Sequence, residues 1–272
     1  MARKEDVLVS PKKISTKRQK KLAQLPPASA PREETNAQWL ALLGHGIKSP
    51  VARILALSEF MLKEIPGELN SEQKEYLQDI YHNSYLLTNY INSLLTLSKV
   101  ESGYMKLNIG AYDFREIVES VVTKVDTMAA SRNSQIIVKI PNDLSPVCCD
   151  RNKIEQILFN LLDNAIKFTR EGTITVSVIE DHAGELLRVA VRDTGIGISE
   201  KLRPKVFDTF FTDKSALNPG GSGLGLAVVK EFVNLHGGQV VLESCPGRGT
   251  RVEFTIPNSL SEKGLSHAGS CK

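Results

Sequence analysis

Two glycine clusters between residues 193 and 226 constrain the fold of this chain more than any other feature. The first, Gly195 and Gly197, follows a strand-like run that ends at Asp193. The second, from Gly220 to Gly225, leads directly into an apolar-periodic helix. Glycine lets the backbone approach a ligand closely because it has no Cβ, and the unpaired N–H groups of a helix start favour an anion. The stretch therefore predicts a binding loop for a negatively charged ligand, with the Asp193 carboxylate ready to accept a hydrogen bond from an exocyclic amine.

The composition is that of a soluble, folded protein with one or two domains. Of its 272 residues, 41% are hydrophobic and 24% are charged, which are ordinary values. No apolar run approaches the roughly 20 residues that span a bilayer, and no signal peptide is visible. The four cysteines have no metal or redox spacing, which favours a reduced environment. We therefore expect a cytoplasmic protein with no membrane segment in this chain.

The two ends of the chain differ in composition from its middle. Residues 1–32 carry nine lysines and arginines against two acids, a balance that suits nucleic acid or anionic lipid. The same segment has no aromatic residue to stack on a base. We interpret residues 1–33 as a basic linker or disordered tail and expect no nucleic-acid partner. Residues 258–272 show no periodicity and are interpreted as a second disordered tail.

Residues 34–105 carry the pattern of two long antiparallel helices. The first is predicted from Glu34 to about Ile65, with Pro50 expected to kink it, and the second from Ser71 to Glu101. Their apolar stripes are formed by Leu40, Leu43, Ile47, Ile54, Leu57 and Met61 and by Tyr76, Ile80, Leu87, Tyr90, Leu94 and Leu97. A hairpin with such stripes needs further partners. A homodimer that forms a four-helix bundle would supply them, and packing onto the rest of the chain is the alternative.

Residues 106–257 alternate differently and predict an α/β sandwich. Helices are expected at 113–130, 153–168 and 224–236, and strands at 135–140, 147–150, 173–180, 186–193, 239–244 and 250–257. Strands that come in pairs joined by turns argue for a mixed, largely antiparallel sheet with helices on one face. The whole chain is therefore predicted to belong to the α+β class, with a helical hairpin before the sandwich.

Three polar residues share one face of the helix predicted at 153–168. Asn160, Asn164 and Lys167 are spaced i, i+4 and i+7, beside an apolar face. An Asn oxygen is a hard ligand that suits Mg²⁺, which also binds phosphate oxygens and water. Lys167 would offset phosphate charge. The pattern predicts the polar edge of a buried site rather than a solvated surface.

Four of these motifs together resemble the ATP-binding domain of histidine kinases. FNLLDNAIKFT resembles its N box, DTGIG its G1 box, VFDTFF its F box and GSGLGL its G2 box, in the family's order. Upstream, ALLGHGIKSPVARIL resembles the H box of the family's dimerisation and phosphoacceptor domain. The resemblance covers about residues 34–257. It implies the catalytic core of a two-component sensor histidine kinase, which autophosphorylates with ATP and Mg²⁺ and passes the phosphoryl group to a response regulator receiver domain.

The resemblance also implies roles for particular residues. His45 matches the phosphoacceptor, and Ser49 matches a position where the family often carries a residue that positions water. The residues expected to bind ATP are Asn160, Asn164, Lys167, Asp193, Gly195, Gly197, Phe207, Gly221, Ser222, Gly223, Leu224, Gly225 and Thr250, with Asn164 as the Mg²⁺ ligand. The polar segment 212–221 has the composition of a lid that nucleotide orders.

One position departs from the family's pattern. The family usually carries Glu or Asp directly after the phosphoacceptor, whereas this chain has Gly46. Loss of a general base typically lowers a rate by about 10²–10⁴-fold. A second hypothesis is therefore a dimeric, ATP-binding adaptor or weak pseudokinase. A gyrase-like or chaperone ATPase is a third, which the preceding His–Gly–Ile–Lys–Ser–Pro segment disfavours.

Overall fold

This computed structural model describes residues 32–181, 186–213 and 221–258, with side chains described from Gly46 onward. The predicted tails at 1–33 and 258–272 lie almost entirely outside the described residues. Among the residues described, no helix is long and apolar enough to cross a membrane.

The chain begins with two long helices that form an antiparallel hairpin. Helix α1 runs over Arg32–Leu62 and contains Pro50, and helix α2 runs over Ser71–Glu101, as predicted. The first helix ends three residues before the predicted Ile65. Glu64 adopts a φ of 54° in the connection, which a continuing α-helix does not allow. Helix α2 starts at Asn70, whose side chain accepts a hydrogen bond from the Gln73 backbone (2.8 Å), and this capping box fixes its first turn.

The apolar stripes of the hairpin are largely open to solvent in the single chain. Exposed members include Ile47, Ile54, Leu57 and Met61 on α1 and Tyr76, Ile80 and Leu87 on α2. The residues of the hairpin that are buried are Val51, Leu97 and three serines, Ser58, Ser84 and Ser98, among the side chains described. The hairpin therefore exposes much of the surface that its own pattern marks as apolar.

Residues 106–258, here called the sheet domain, form two layers. Its strands are β1 (Gly110–Tyr112), β2 (Gln135–Lys139), β3 (Val147–Cys149), β4 (Thr173–Glu180), β5 (Leu186–Asp193), β6 (Val240–Ser244) and β7 (Thr250–Pro257). Its helices are α3 (Phe114–Ala130), α4 (Arg151–Phe168) and α5 (Gly225–Leu235), with a 3-10 turn at Arg203–Lys205. Asp113 and Asp150 cap α3 and α4 by accepting backbone N–H bonds, which satisfies donors that the helix cannot.

The main sheet has five strands in the order β2-β4-β5-β7-β6. Only β2 and β4 pair in parallel, and the other neighbours are antiparallel. Alternate residues along β4, β5 and β7 are buried against the helices, as Ile174, Val189 and Phe254 illustrate. This period of two places one apolar face on the core. The prediction of a mixed, largely antiparallel sheet with helices on one face is confirmed, and with it the α+β class.

Two features of the fold were not predicted. Strand β1 is only three residues long and pairs with β3 as a separate two-stranded sheet, so its pattern is too short to detect. In addition, Leu97 of α2 is buried in the core of the sheet domain, whereas the rest of its stripe is not. Of the two alternatives for the hairpin, packing onto the rest of the chain therefore holds for the last turns of α2.

The two adjacent cysteines of β3 are thiols with a structural role. Cys149 is buried and Cys148 is half-buried. Burial, with a smaller contribution from Asp150, raises the pKa of the Cys149 thiol to about 12, so it stays protonated and unreactive.

Candidate functional site

Asp193, the last residue of β5, lies at the centre of the predicted site. Its side chain is 7% exposed, and its Oδ1 accepts hydrogen bonds from the backbone N–H of Gly195 (2.8 Å) and of Thr250 (3.2 Å). Burial raises the pKa of this carboxyl above its ordinary value, and the two N–H groups act in the opposite direction. Both bonds use one oxygen, so the other oxygen has no protein partner among the described residues and is available to a ligand's amine.

The first glycine loop is held between α4 and the turn after β6. The N–H of Ile196 donates to the Phe168 carbonyl at the end of α4 (3.2 Å), and the N–H of Gly247 donates to the Ile196 carbonyl (2.7 Å). Gly197 has a φ of +71°, and an added Cβ there would lie 2.1 Å from the Cys245 carbonyl oxygen. A larger residue at 197 would therefore displace one wall of the loop.

The polar face of α4 points to the start of α5. Asn160, Asn164 and Lys167 are all half-buried, and the Asn160 amide donates to the Gly225 carbonyl at 3.3 Å. Lys167 forms an ion pair with Asp163 (2.5 Å). The structure thus brings Asn160 against Gly225 of the second glycine cluster, 65 residues away in sequence.

The second glycine cluster packs against the segment of the F box. Gly223 has a φ of +66°, and an added Cβ would lie 2.5 Å from the Phe210 carbonyl carbon. Phe210 itself has a φ of 62°, which is uncommon for a residue that is not glycine. The Ser222 hydroxyl accepts a bond from the Leu224 N–H (3.1 Å). Gly221 is exposed and Phe207 half-buried.

Two of the predicted site residues contribute through their backbone rather than their side chains. The Leu224 side chain is fully buried in the core, so only its backbone can reach a ligand. Thr250 contacts Asp193 through its N–H, while its hydroxyl lies 2.9 Å from that of Ser244. For both residues the pattern identified the position but not the group that it presents.

Thr169 was not predicted and is a further candidate for the site. It follows α4 directly and is completely buried, yet its hydroxyl has no hydrogen-bond partner among the described residues. An unpaired buried hydroxyl is destabilising unless a ligand or ordered water satisfies it. Its place as the last residue of FNLLDNAIKFT is the only signal that the sequence offered.

The amide oxygens of α4 fit a magnesium ion that is also coordinated by oxygens of a bound ligand. No group of three or more His, Cys, Asp and Glu side chains that could hold a metal occurs in the described parts of the chain. Asn164 offers an amide oxygen one helical turn along α4 from Asn160, and Asn160 keeps its own oxygen free of the bond that its amide nitrogen donates to Gly225. Mg²⁺ bound here would therefore complete its shell with water and ligand oxygens, which is its usual preference.

The predicted phosphoacceptor lies on α1, far from the glycine loops in sequence. His45 is within the helix, but its side chain falls outside the described residues. Ser49 is exposed one turn further along. Gly46 is exposed too, and an added Cβ would meet no atom within 4 Å. Most of the predicted lid, from residue 214 to 220, is likewise outside the described residues.

Two family models match the chain. Residues 35–103 match the His Kinase A (phospho-acceptor) domain, and residues 149–260 match the histidine kinase-, DNA gyrase B-, and HSP90-like ATPase family. The first match covers the helical hairpin, and the second covers every element of the candidate site. The predicted domain limits at 33, 105 and 257 remain predictions.

Relatives with curated names span most of this chain. A "Non-motile and phage-resistance protein" of Caulobacter vibrioides is 34% identical over 239 residues, which is 86% of this chain and 28% of that protein. The "Sensor histidine kinase GacS" of Pseudomonas protegens is 33% identical over 231 residues, 82% of this chain and 24% of that protein. The chain thus spans about a quarter of the length of these relatives.

Solved structures share the fold. Full-length ShkA in complex with AMPPNP superposes with a TM-score of 0.69 at 24% identity, covering 82% of this chain and 46% of that one. The catalytic domain of the histidine kinase ThkA superposes with a TM-score of 0.50 at 30% identity, covering 56% of this chain and 97% of that one.

Proposed function

Because this chain belongs to the sensor histidine kinases, of which it has the phosphoacceptor hairpin and the ATPase domain, we propose that it phosphorylates itself on His45. A neutral imidazole nitrogen of His45 attacks the γ-phosphorus of ATP in line. The bond to the β,γ-bridging oxygen breaks, ADP leaves, and the imidazole loses its remaining proton. The phosphoryl group then passes to an aspartate of a response regulator receiver domain.

The observation that carries this proposal is the convergence of four separated motifs on Asp193 and the start of α5. The Asp193 oxygen that has no hydrogen-bond partner among the described residues accepts a hydrogen bond from the exocyclic amine of adenine. The backbone N–H groups at the start of α5 and the Lys167 ammonium face the phosphates. Lys167 is paired with Asp163, so phosphate has to compete with that carboxylate.

Mg²⁺ belongs to the proposal as a cofactor of the triphosphate. Asn164 would hold it, with Asn160 as the nearest further amide on the same face of α4, and the ion would neutralise phosphate charge when bound. The rest of its coordination comes from phosphate oxygens and water, since carboxylates do not cluster there in the part of the chain that is described.

Nucleotide binding can be tested at these two positions separately. Asp193→Asn removes the charge that accepts the adenine amine, so it should weaken ATP and ADP alike. Asn164→Ala should weaken Mg²⁺–ATP and leave metal-free ADP nearly unchanged. Calorimetric titrations with and without Mg²⁺ distinguish the two patterns, and wild-type affinity in both variants would refute the assignment of the site.

The kinase step is tested by incorporation of radiolabelled phosphate from γ-labelled ATP. The wild-type chain should become labelled in an acid-labile, base-stable form that is typical of phosphohistidine, and His45→Gln should not. His82→Gln is a matched control, because His82 is exposed on α2 of the same hairpin. Equal labelling of the two variants would place the phosphate elsewhere.

The homodimer is part of the same proposal. Two hairpins that pack their exposed stripes together form a four-helix bundle and remove those side chains from water. Sedimentation of residues 34–105 should show a dimer at micromolar concentration. A monomer at high concentration would contradict the bundle.

Gly46 supports a second candidate, the ATP-binding adaptor or weak pseudokinase. If a missing carboxylate limits the rate, Gly46→Glu should raise autophosphorylation by up to about 10²–10⁴-fold. The structure leaves open space at this position, so the new side chain does not clash. Gly46→Ala is the matched control, because it gains the same helix propensity of about 1 kcal/mol without a carboxylate. If neither variant incorporates label although both still bind ATP, the result favours the adaptor hypothesis.

The phosphotransfer partner is tested last. A panel of purified receiver domains, incubated with the labelled chain, should identify one that removes label fastest. Ser49→Ala should leave this forward transfer intact and reduce hydrolysis of the phosphorylated regulator, since Ser49 matches the family position that often carries a residue that positions water. A loss of forward transfer would instead assign Ser49 to the docking surface.

A further inference from the structure

A cavity of about 380 Å³ lies on the sheet domain beside the candidate nucleotide site, with which it shares Thr250. It is open to solvent and is lined by the ends of β5, β6 and β7, by the turn between β6 and β7, and by the 3-10 turn at Arg203–Lys205. Residues alternate between the two faces of a strand. Asp193 turns toward the helices, so its neighbour Arg192 points to the opposite face and into this cavity.

The cavity is strongly basic. Its lining includes four arginines, Arg192, Arg203, Arg248 and Arg251, but one acid, Glu243. Arg251 is paired with Glu243 (3.6 Å) and with Glu253, and Arg203 is 3.6 Å from Glu200. Arg192 and Arg248 form no ion pair with any described residue. Their positive charge is therefore uncompensated by the protein around them.

The strand register places two of these charges directly opposite each other. Arg192 of β5 is the cross-strand partner of Arg251 of β7, and like charges at such positions destabilise a sheet. In addition, the Arg203 Nε is buried and has no hydrogen-bond acceptor among the described residues, which is a further unfavourable state. One acceptor-rich anion in the cavity would relieve the repulsion between Arg192 and Arg251, which both line it.

We propose that this cavity is a second anion site, which binds a small ligand through phosphate groups. Guanidinium forks match phosphate oxygens in bidentate pairs, and a volume of about 380 Å³ holds more than one phosphate. The adjacent turn also donates to the first glycine loop, through Gly247 N–H to the Ile196 carbonyl at 2.7 Å. An anion here would therefore lie against the turn that holds the first glycine loop in place.

Pyrophosphate is the probe for this site, with the nucleotide site first saturated with ADP in the absence of Mg²⁺. Calorimetry should show one pyrophosphate per wild-type chain. In the double variant Arg192→Gln/Arg248→Gln its affinity should fall at least about 10–100-fold, because each charge-assisted pair is worth that factor. Arg53→Gln, an exposed arginine of α1, is the matched control and should bind as the wild type does.

Thermal unfolding distinguishes a ligand-binding role of Arg192 from a purely structural one. Without pyrophosphate, Arg192→Gln should unfold at the wild-type temperature or higher, since it removes repulsion with Arg251. A lower unfolding temperature would assign Arg192 to the fold and overturn the proposal. Equal pyrophosphate affinity in the double variant and in Arg53→Gln would also overturn it, as would a lack of pyrophosphate binding to a wild-type chain that binds one ADP.

The stoichiometry of ADP identifies the source of the phosphates. One ADP per chain in both wild type and double variant, with pyrophosphate bound beside it, assigns the site to free phosphates. Two ADP per wild-type chain and one in the double variant assign it to the phosphates of a nucleotide. If the wild-type chain binds one ADP and no pyrophosphate, the proposed second anion site is contradicted.

Discussion

The helical hairpin and the sheet domain differ in how far they bury their apolar side chains. In the sheet domain the alternating residues of β4, β5 and β7 and the apolar faces of α3, α4 and α5 enclose one another. In the hairpin, buried side chains are few among those described, and three of the five are serines. Apolar burial is the main favourable term in folding, so the sheet domain holds its own stabilisation and the hairpin lacks most of its share.

This contrast assigns the two regions different roles in the chain. A region that closes its own core can bind a ligand as a single copy. For a region whose apolar stripes stay exposed to water, the proposed homodimer supplies the missing partner and also brings a second His45 to the same bundle. Substitutions that act on only one of the two regions test whether the hairpin carries dimerisation and the sheet domain carries its own folding stability.

The largest effect is expected from a charge placed in the exposed stripe. Leu57 of α1 is 57% exposed, so Leu57→Glu is harmless in a monomer but buries two unpaired carboxylates in a dimer. We expect the dissociation constant of the dimer to rise by about 10²–10⁴-fold, as measured by sedimentation.

The matched control for this prediction lies in the other region. Val241 is 54% exposed on the outer face of the sheet, and Val241→Glu should leave the dimer intact. If Val241→Glu dissociates the dimer and Leu57→Glu does not, the sheet domain and not the hairpin holds the two copies together.

The next effect is expected in the core of the sheet domain. Phe254 of β7 is fully buried, so Phe254→Ala should lower the free energy of unfolding by about 3–5 kcal/mol. Phe60→Ala, in the exposed part of α1, should leave the unfolding transition of the sheet domain unchanged. Urea titrations followed by circular dichroism would measure both, and equal losses would refute independent cores.

Much of this fold is predictable because long, regular patterns repeat over many residues. Helix α2 and strands β4, β5 and β7 begin and end at the predicted residues, since capping residues and period-two alternation are local signals. Strand β1 has three residues and no such pattern. The burial of Leu97 in the other region depends on how the hairpin leaves the bundle, which no local pattern records.

The candidate site divides in the same manner. Spacing alone placed Asn160, Asn164 and Lys167 on one face, and the structure has them there. Contact between Asn160 and Gly225, the ion pair of Lys167 with Asp163 and the orphan hydroxyl of Thr169 are tertiary facts. The sequence therefore predicted the shared face of α4 but not the contacts that its residues make.

A third, intermediate effect is expected where the two regions join. Leu97 belongs to the stripe of α2 by its spacing, yet it is 5% exposed within the core of the sheet domain. Leu97→Ala should therefore destabilise the sheet domain by about 2–4 kcal/mol. Leu87→Ala, ten residues earlier and 43% exposed, is the matched control and should weaken only the dimer. The reverse result would assign Leu97 to the bundle.

The smallest effect concerns pH and the buried His236, which follows α5 near the same junction. Its Nδ1 lies 2.7 Å from the Phe232 carbonyl, and its Nε2 accepts the backbone N–H of Asp150 at 3.1 Å. A carbonyl only accepts and an N–H only donates, so the ring is neutral with its proton on Nδ1. Asp150 in turn caps α4 and accepts the N–H of Asn108 (2.9 Å), which ties the segment after α2 to the sheet domain.

Burial, aided by Lys153 and opposed by Phe232 and Asp150, lowers the pKa of His236 below its ordinary value of 6.5. The unfolded chain therefore binds this proton more readily than the folded one. The contribution of His236 to the free energy of unfolding is complete above pH 6.5 and is lost as pH falls toward the folded pKa. His236→Gln keeps an acceptor for the Asp150 N–H but cannot titrate. Its unfolding free energy, measured in urea across this pH range, should fall less steeply than that of the wild type, and parallel curves would show that the imidazole is not the titrating group.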